Sequence, residues 1–387
     1  MEKLSERKTL LILFLVSFIL RVIFIFTLKN HFYFDDEFEY YRMVENFLSG
    51  KGLIVSENLK SFRPPLYPLF LSFLYFLHFN LFFIRIVQAA ISSITVIFIY
   101  FVGKKIFNRK IGFFSSIISS FYPFFIFYTG FLLTETLFIF LVVLTMYFLV
   151  LTISEEGNTF PIKTGISLGL AGLCRPTMEL FLPVIILIIL CDRENSLKSR
   201  WKKILFISLF FSLTLSPWIM RNYIIFRKFV PGTTMGGWVF WEGNNPKSVG
   251  GPCHYFPKNI LQMEEITRDK FLYKKTIEVI KENPERFIYL LKNKFIRFWN
   301  VVPNASQFQK PLYRILSVFS FGILLPFFIL GFIITFKNKK AIPMHLLIIF
   351  FTVFHMIFLS SIRYRVAIEP FYIIFAVYGL TFLLSLF

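Results

Sequence analysis

Four carboxylates crowd five positions in YFDDEFEYYRMVENFLSGKG, which begins at Tyr33: Asp35, Asp36, Glu37 and Glu39. A carboxylate held at a helix start near a lipid boundary can take a proton from a hydroxyl or an amine, because partial desolvation raises its pKa toward a useful value. Part of the cluster has a purely structural reading. Asp36 suits an N-cap, and Glu39 three residues later completes a capping-box spacing. A cap needs one carboxylate, so the surplus asks for a cationic or protic partner.

Arginine is the complementary chemistry, since its planar fork donates two parallel hydrogen bonds to a phosphate. FRPPLYP (62–68) sets Arg63 before two prolines, and SSIRYRVAIEP (360–370) puts Arg363 and Arg365 into a short connection. Arg221, in SPWIMRNY, joins them as a phosphate candidate, with an interfacial anchor beside Trp218 and Tyr223 as its alternative. For Arg63 the alternative is snorkelling to headgroups. Glu135, in LLTETLF, stands at the start of an apolar run, where an acid costs free energy unless paired or hydrated. Tyr40, Tyr67 and Tyr364 neighbour these motifs and are read as pocket residues; Arg175, in CRPT, is read as a structural hinge. The five histidines and the three cysteines (Cys174, Cys191, Cys253) show no metal-ligand spacing and no disulfide framework. Hard oxygen ligands leave room for a divalent cation such as Mg or Mn, which nothing in the sequence requires.

These residues must be carried by a membrane scaffold. Of 387 residues, 56% are hydrophobic and 17% charged, and several apolar runs exceed the ~20 residues that span hydrocarbon. The net charge of +20 would suggest nucleic acid in a soluble protein; here many basic residues fall between spans, where they set orientation, and no nucleic-acid partner is expected. Runs at roughly 9–28, 83–102, 111–129, 132–152, 161–174, 176–191, 203–220, 312–336, 343–360 and 366–387 predict an all-α polytopic membrane protein with about ten transmembrane helices. The first run is read as a retained signal anchor with a cytoplasmic N-terminus.

The stretch 64–102 holds either one crossing or two. One crossing puts the basic clusters 103–110, 192–203 and 337–340 on the side of the basic N-terminus, as the positive-inside rule favours. Residues 66–80 are then a re-entrant or interfacial helix. Loop 29–65 and the segment 221–311 fall outside, the first carrying an amphipathic juxtamembrane helix that ends at Ser49-Gly50. Helices are expected at 262–282 and 284–300, with turn-rich loops at GTTMGG and GNNPKSVGGP. The expected organisation is an N-terminal transmembrane module (1–220) with a catalytic first outer loop, a small extracytoplasmic loop region (221–311) and C-terminal helices (312–387).

The DDE after the first span, a tyrosine four residues past Asp36, LSGKG, RPPLYP, TET at a later span start and the closing RYRVAIEP together resemble the GT-C superfamily of membrane glycosyltransferases. The nearest group is that of the protein O-mannosyltransferases and lipid A aminoarabinose transferases. The resemblance implies transfer of a sugar from a polyprenyl-phosphate donor to a lipid, glycan or protein acceptor at the extracytoplasmic face of the cell membrane. It implies Asp36 as the catalytic carboxylate with Glu37 and Glu135 as acidic partners, and Arg63 at the carrier phosphate. Asp35 leaves the base ambiguous by one residue. No large soluble domain follows the last span, which argues against the oligosaccharyltransferase branch. A lipid-linked donor also fits the absence of a nucleotide-binding glycine loop in a βαβ pattern. The rival class is a transporter or flippase of lipid-linked sugars, for which midplane sites in repeated halves are expected.

Overall fold

Apolar runs of this length satisfy their backbone in lipid as helices, and the computed structural model follows that rule. It describes residues 2–192, 194–304, 308 and 310–386. Among the described residues the only extended pairing is an isolated bridge between Ser56 and Leu59. Helices α1 (Glu2–Phe26), α2 (Asp35–Leu48), α3 (Leu66–Phe76), α4 (Leu81–Ile106), α5 (Arg109–Phe121), α6 (Pro123–Tyr128), α7 (Glu135–Ser154) and α8 (Thr159–Cys174) come first. A 3-10 turn (Pro176–Phe181) leads into α9 (Leu182–Leu190), followed by α10 (Leu197–Phe226). The 221–311 segment holds α11 (Gly236–Asn244), α12 (Glu265–Glu282) and α13 (Pro284–Trp299). Helices α14 (Pro311–Ser317), α15 (Ile323–Ile334), α16 (Ile342–Ile357), α17 (Ile362–Arg365) and α18 (Glu369–Leu384) follow.

Seven helical stretches among the described residues are long and apolar enough to cross a membrane. The other three runs of the sequence are helical but short or broken. The 111–129 run breaks before Pro123, at the α5–α6 junction, α8 has 16 residues, and Pro176 opens a 3-10 turn in place of a continuous helix. By length and composition alone, seven of the ten expected runs qualify as spans. Helix α3 has 11 residues, about 16 Å at 1.5 Å per residue, too short to span.

The basic clusters meet at one end of the bundle. Glu6 pairs with Lys104 at 2.5 Å, Lys105 with Glu155 at 2.8 Å and Lys339 with Glu194 at 3.1 Å. Asn195 donates to the Ile153 carbonyl and so ties the 192–203 connection to that end. Close packing holds the last helices together: a Cβ on Gly331 of α15 would strike the Phe375 carbonyl of α18, and one on Gly379 the Phe327 carbonyl. Small residues that let backbones approach are the usual currency of helix association in lipid.

In the 221–311 segment α12 and α13 occupy the places expected of them. Helix α11 occupies GGWVFWEGN, where turn-rich loops were expected on either side of the tryptophans. Its glycines serve contact rather than turning, since a Cβ on Gly237 would strike the Asp269 carbonyl of α12.

Candidate active site

Helix α2 starts at Asp35, and its first turn is capped differently from the sequence expectation. Glu37, not the Asp36/Glu39 pair, accepts the backbone N–H groups of Tyr33 at 2.6 Å and Phe34 at 3.0 Å. Its other oxygen accepts from the Leu132 amide at 2.8 Å, and the residue is fully buried. Its role as a catalytic partner is corrected accordingly: Glu37 spends its carboxylate on backbone. Asp35 points to solvent and takes no part in the cluster, whereas Asp36 turns inward.

Asp36 receives two arginines from opposite ends of the chain. Its Oδ1 lies 2.6 Å from Arg63 Nη2 and its Oδ2 2.5 Å from Arg363 Nη1. Arg63 also pairs with Glu39 at 2.6 Å. Arg363 continues to Glu135 through its Nε, and Glu135, 1% exposed at the start of α7, pairs with Arg175 at 2.6 Å. The outcome is an alternating chain, Glu39–Arg63–Asp36–Arg363–Glu135–Arg175, three acids against three bases. Buried charges persist only when paired in this way. Burial alone would raise the Asp36 pKa, but Arg363 and Arg63 outweigh it and hold the carboxyl well below the usual range. Asp36 is thus an anion held between two guanidiniums.

Both Arg63 and Arg175 stand immediately before proline, which disfavours helical backbone at the preceding residue. Arg175 is extended (φ −147°, ψ 120°) and its Nε donates to Thr134 Oγ1 at 2.8 Å. The sequence reading of Arg175 as a hinge missed its charge role. The repeated Arg-Pro pair at the edge of an apolar run was the available signal.

Asp36, Tyr40, Arg63, Arg175, Arg363 and Tyr364 line a cavity of about 320 Å³. That is the lower end of the roughly 300–1,000 Å³ range of small-molecule pockets. Glu179 and His355, neither singled out in the sequence, line it too. The His355 ring stacks on Tyr364 at 4.6 Å.

Three expected members lie elsewhere. Tyr67 is one layer behind: its ring meets Tyr40 edge-on at 5.1 Å and its hydroxyl donates to Gln88 Oε1 at 2.8 Å. Arg365 is fully buried, bonded to Glu369 at 2.8 Å and to the carbonyls of Phe298 and Asn300, with its guanidinium 3.5 Å from the Phe321 ring centre. It is a core residue and cannot meet a phosphate in the cavity. Arg221 rests on Trp218 at 4.5 Å, donates to the Leu53 carbonyl, and lines a separate cavity of about 1,220 Å³ with Arg42, Lys51 and Lys60.

The carboxylates do not form a cation site. Asp36 and Glu135 give their oxygens to guanidiniums, and no group of three or more His, Cys, Asp or Glu suited to a metal occurs among the described residues.

The GNNP element has a structural part to play. Asn244 accepts from Lys294 Nζ at 2.7 Å and donates to the Ile357 carbonyl at 3.1 Å, and Ser360 Oγ donates to the Lys294 carbonyl at 2.6 Å. A Cβ on Gly243 would strike the Phe358 carbonyl. These contacts clamp the turn at 357–360, which delivers Arg363.

The fold and cluster define a polytopic membrane protein with an ionised site at one end of its helix bundle. Residues 62–220 match the family described as dolichyl-phosphate-mannose-protein mannosyltransferase. No curated protein sequence matches the chain. Among solved structures, the fold matches the oligosaccharyltransferase AglB from Archaeoglobus fulgidus, solved with an inhibitory peptide and a dolichol-phosphate. The TM-score is 0.64 at 13% identity, over 99% of this chain and 51% of that one. The apo form of the Archaeoglobus fulgidus oligosaccharyltransferase gives 0.63 at 13% identity, over 98% and 50%. ArnT from Cupriavidus metallidurans in the apo state gives 0.46 at 14%, over 98% and 77%. This chain spans about half the length of the archaeal oligosaccharyltransferase it matches. The chain shares its fold with the archaeal oligosaccharyltransferase, and its 62–220 stretch is similar to the mannosyltransferase family. At 13% identity the likeness describes the fold and does not choose a branch.

Proposed function

We propose that this integral membrane protein transfers a hexosyl or pentosyl group from a polyprenyl-phosphate donor to an acceptor hydroxyl or amine. The acceptor is a lipid, glycan or protein, and the reaction takes place at the extracytoplasmic face of the cell membrane. The observation that carries this reading is the meeting of Arg63 and Arg363, 300 positions apart, on one carboxylate inside a sugar-sized cavity. Support comes also from the neighbour solved with a dolichol-phosphate and from the family match. The functional unit combines the 1–220 module, the 221–311 loop region and the 312–387 helices, with the N-terminus cytoplasmic at the end where the basic clusters gather.

In this mechanism the acceptor oxygen or nitrogen bonds to the sugar's anomeric carbon and its proton passes to the Asp36 carboxylate. The bond from that carbon to the phosphate oxygen breaks, and its electron pair leaves with the phosphate. Arg63 and Arg363 hold the phosphate and stabilise the charge it gains, the term that usually dominates such catalysis. Asp36 positions both guanidiniums, and the incoming phosphate competes for the same donors. The test is to incubate the purified chain in lipid nanodiscs with a panel of polyprenyl-phosphate sugars and follow the lipids by mass spectrometry. Consumption of one donor with release of polyprenyl phosphate is expected. Donors that only change leaflet would establish the flippase instead, and a fully inert panel would remove the enzyme reading.

A further inference from the structure

The side-chain partners of Arg63 are Asp36 and Glu39, the acids with which a donor phosphate competes for the guanidinium. Its position at the cavity must therefore be set at its base. Pro64 and Pro65 stiffen the chain on one side. On the other stands Glu265, the first residue of α12 and 4% exposed. Its Oε2 accepts the Lys60 amide at 2.7 Å and its Oε1 the Ser61 amide at 3.0 Å, and the Thr234 hydroxyl also donates to Oε1. The Thr234 amide donates in turn to the Ser61 carbonyl at 3.0 Å, and the adjoining Gly232 and Thr233 line the cavity. An acid in the first turn of a helix has an ordinary reading as a partner of the helix dipole. Glu265 exceeds it. Both oxygens are turned onto residues 205 and 204 positions away, and among the described residues no cation bonds to it. A buried carboxylate satisfied in this way is a costly means of packing alone.

Resting on the glycosyltransferase reading, we infer that Glu265 is a positioning residue, which fixes the backbone from which Arg63 reaches the donor phosphate. Arg63 exchanges partners at its tip and stays fixed at its base. Phe62, the residue between, is buried and meets Trp238 of α11 edge-on at 6.0 Å, so the link from the anchored amides to Arg63 has little slack. A guanidinium held in place beforehand does not have to be ordered when the phosphate binds. Arg363 is held from the same outer segment, through Asn244 and Lys294. The 221–311 segment thus sets both guanidiniums, one through α12 and the other through α11 and α13.

The test is a double-mutant cycle on the affinity of sugar-free polyprenyl phosphate for the full-length chain, read by native mass spectrometry. Glu265→Gln keeps the shape but sets an NH2 group against one of the two amides. It is expected to weaken binding about three- to tenfold, within the range of couplings between connected residues. Added to Arg63→Ala, it should cost no more than about a further twofold, the scatter of independent sites. Glu39→Gln removes a competitor for the guanidinium and should bind at least as tightly as the wild type, although Glu39 touches Arg63 and Glu265 does not. Thr234→Val takes away one donor and leaves the carboxylate, and it serves if the Gln variant does not fold; a smaller loss is expected, again only with Arg63 present. An equal loss with and without Arg63, no loss in the variant that folds, or weaker binding in Glu39→Gln than in Glu265→Gln overturns the inference. A failure of the underlying reading looks different, because the wild-type chain would then bind polyprenyl phosphate no better than Arg63→Ala and consume no donor.

Discussion

Asp36 is bonded to arginines 27 and 327 positions away in the chain. Those partners were legible because an ionised residue at a membrane edge demands a counter-charge, and few counter-charges were on offer. What the sequence could not convey is side-chain direction. Residues two apart on a helical turn point about 200° apart, so Arg363 enters the cavity while Arg365 enters the core. Adjacent Asp36 and Glu37, about 100° apart on their helix, likewise diverge, one facing the arginines and the other the backbone of Tyr33 and Phe34. Arg175 and Glu179 stayed hidden because a charge inside an apolar run has many structural uses. The bidentate geometry gives a direct expectation. Arg363→Lys keeps the charge but cannot reach Asp36 and Glu135 together, so transfer should drop roughly 10²-fold, the scale of losing one preorganised donor. Unchanged turnover in that variant would show that the fork is dispensable.

At the scale of elements, α11 and α13 hold the turn that carries Arg363. Helices α12 and α13 were expected from the sequence; α11 was not, because its glycines and following Asn-Asn-Pro carry turn signals that tertiary contact overrides. Lys294 sits in the clamp with its pKa pushed down to about 7, chiefly by burial and then by Arg286. In the unfolded chain it titrates near its ordinary value of about 10.4. Between those values the unfolded state binds more protons, so the clamp's stability rises with pH and is lost as pH falls through 7. Hydrogen exchange over 240–245 and 355–361, corrected for intrinsic rates, should show stronger protection at pH 8.5 than at 6.5. Lys294→Met should erase the difference. Equal protection at both pH values in the wild type would mean that Lys294 keeps its charge in the fold.

Across the whole molecule, the charge parity argument placed the basic clusters together, and the ion pairs at Lys104, Lys105 and Lys339 are consistent with it. Hydropathy does not register where proline breaks an apolar run into shorter helices, as at Pro123. Close approach of α15 and α18 supports two of the last three spans, and Gly379→Val, which must push α15 away, should lower the Tm in detergent by several degrees. An unchanged Tm would mean that the two helices separate at no cost. The most direct measurement of all is the affinity of polyprenyl phosphate for the wild type, Arg63→Ala, Arg363→Lys and Arg221→Ala by native mass spectrometry. The expected result is a loss of at least about tenfold, or 1.4 kcal/mol, in the first two variants and none in Arg221→Ala. Wild-type affinity in both Arg63→Ala and Arg363→Lys would contradict the assignment of this cavity to the carrier phosphate.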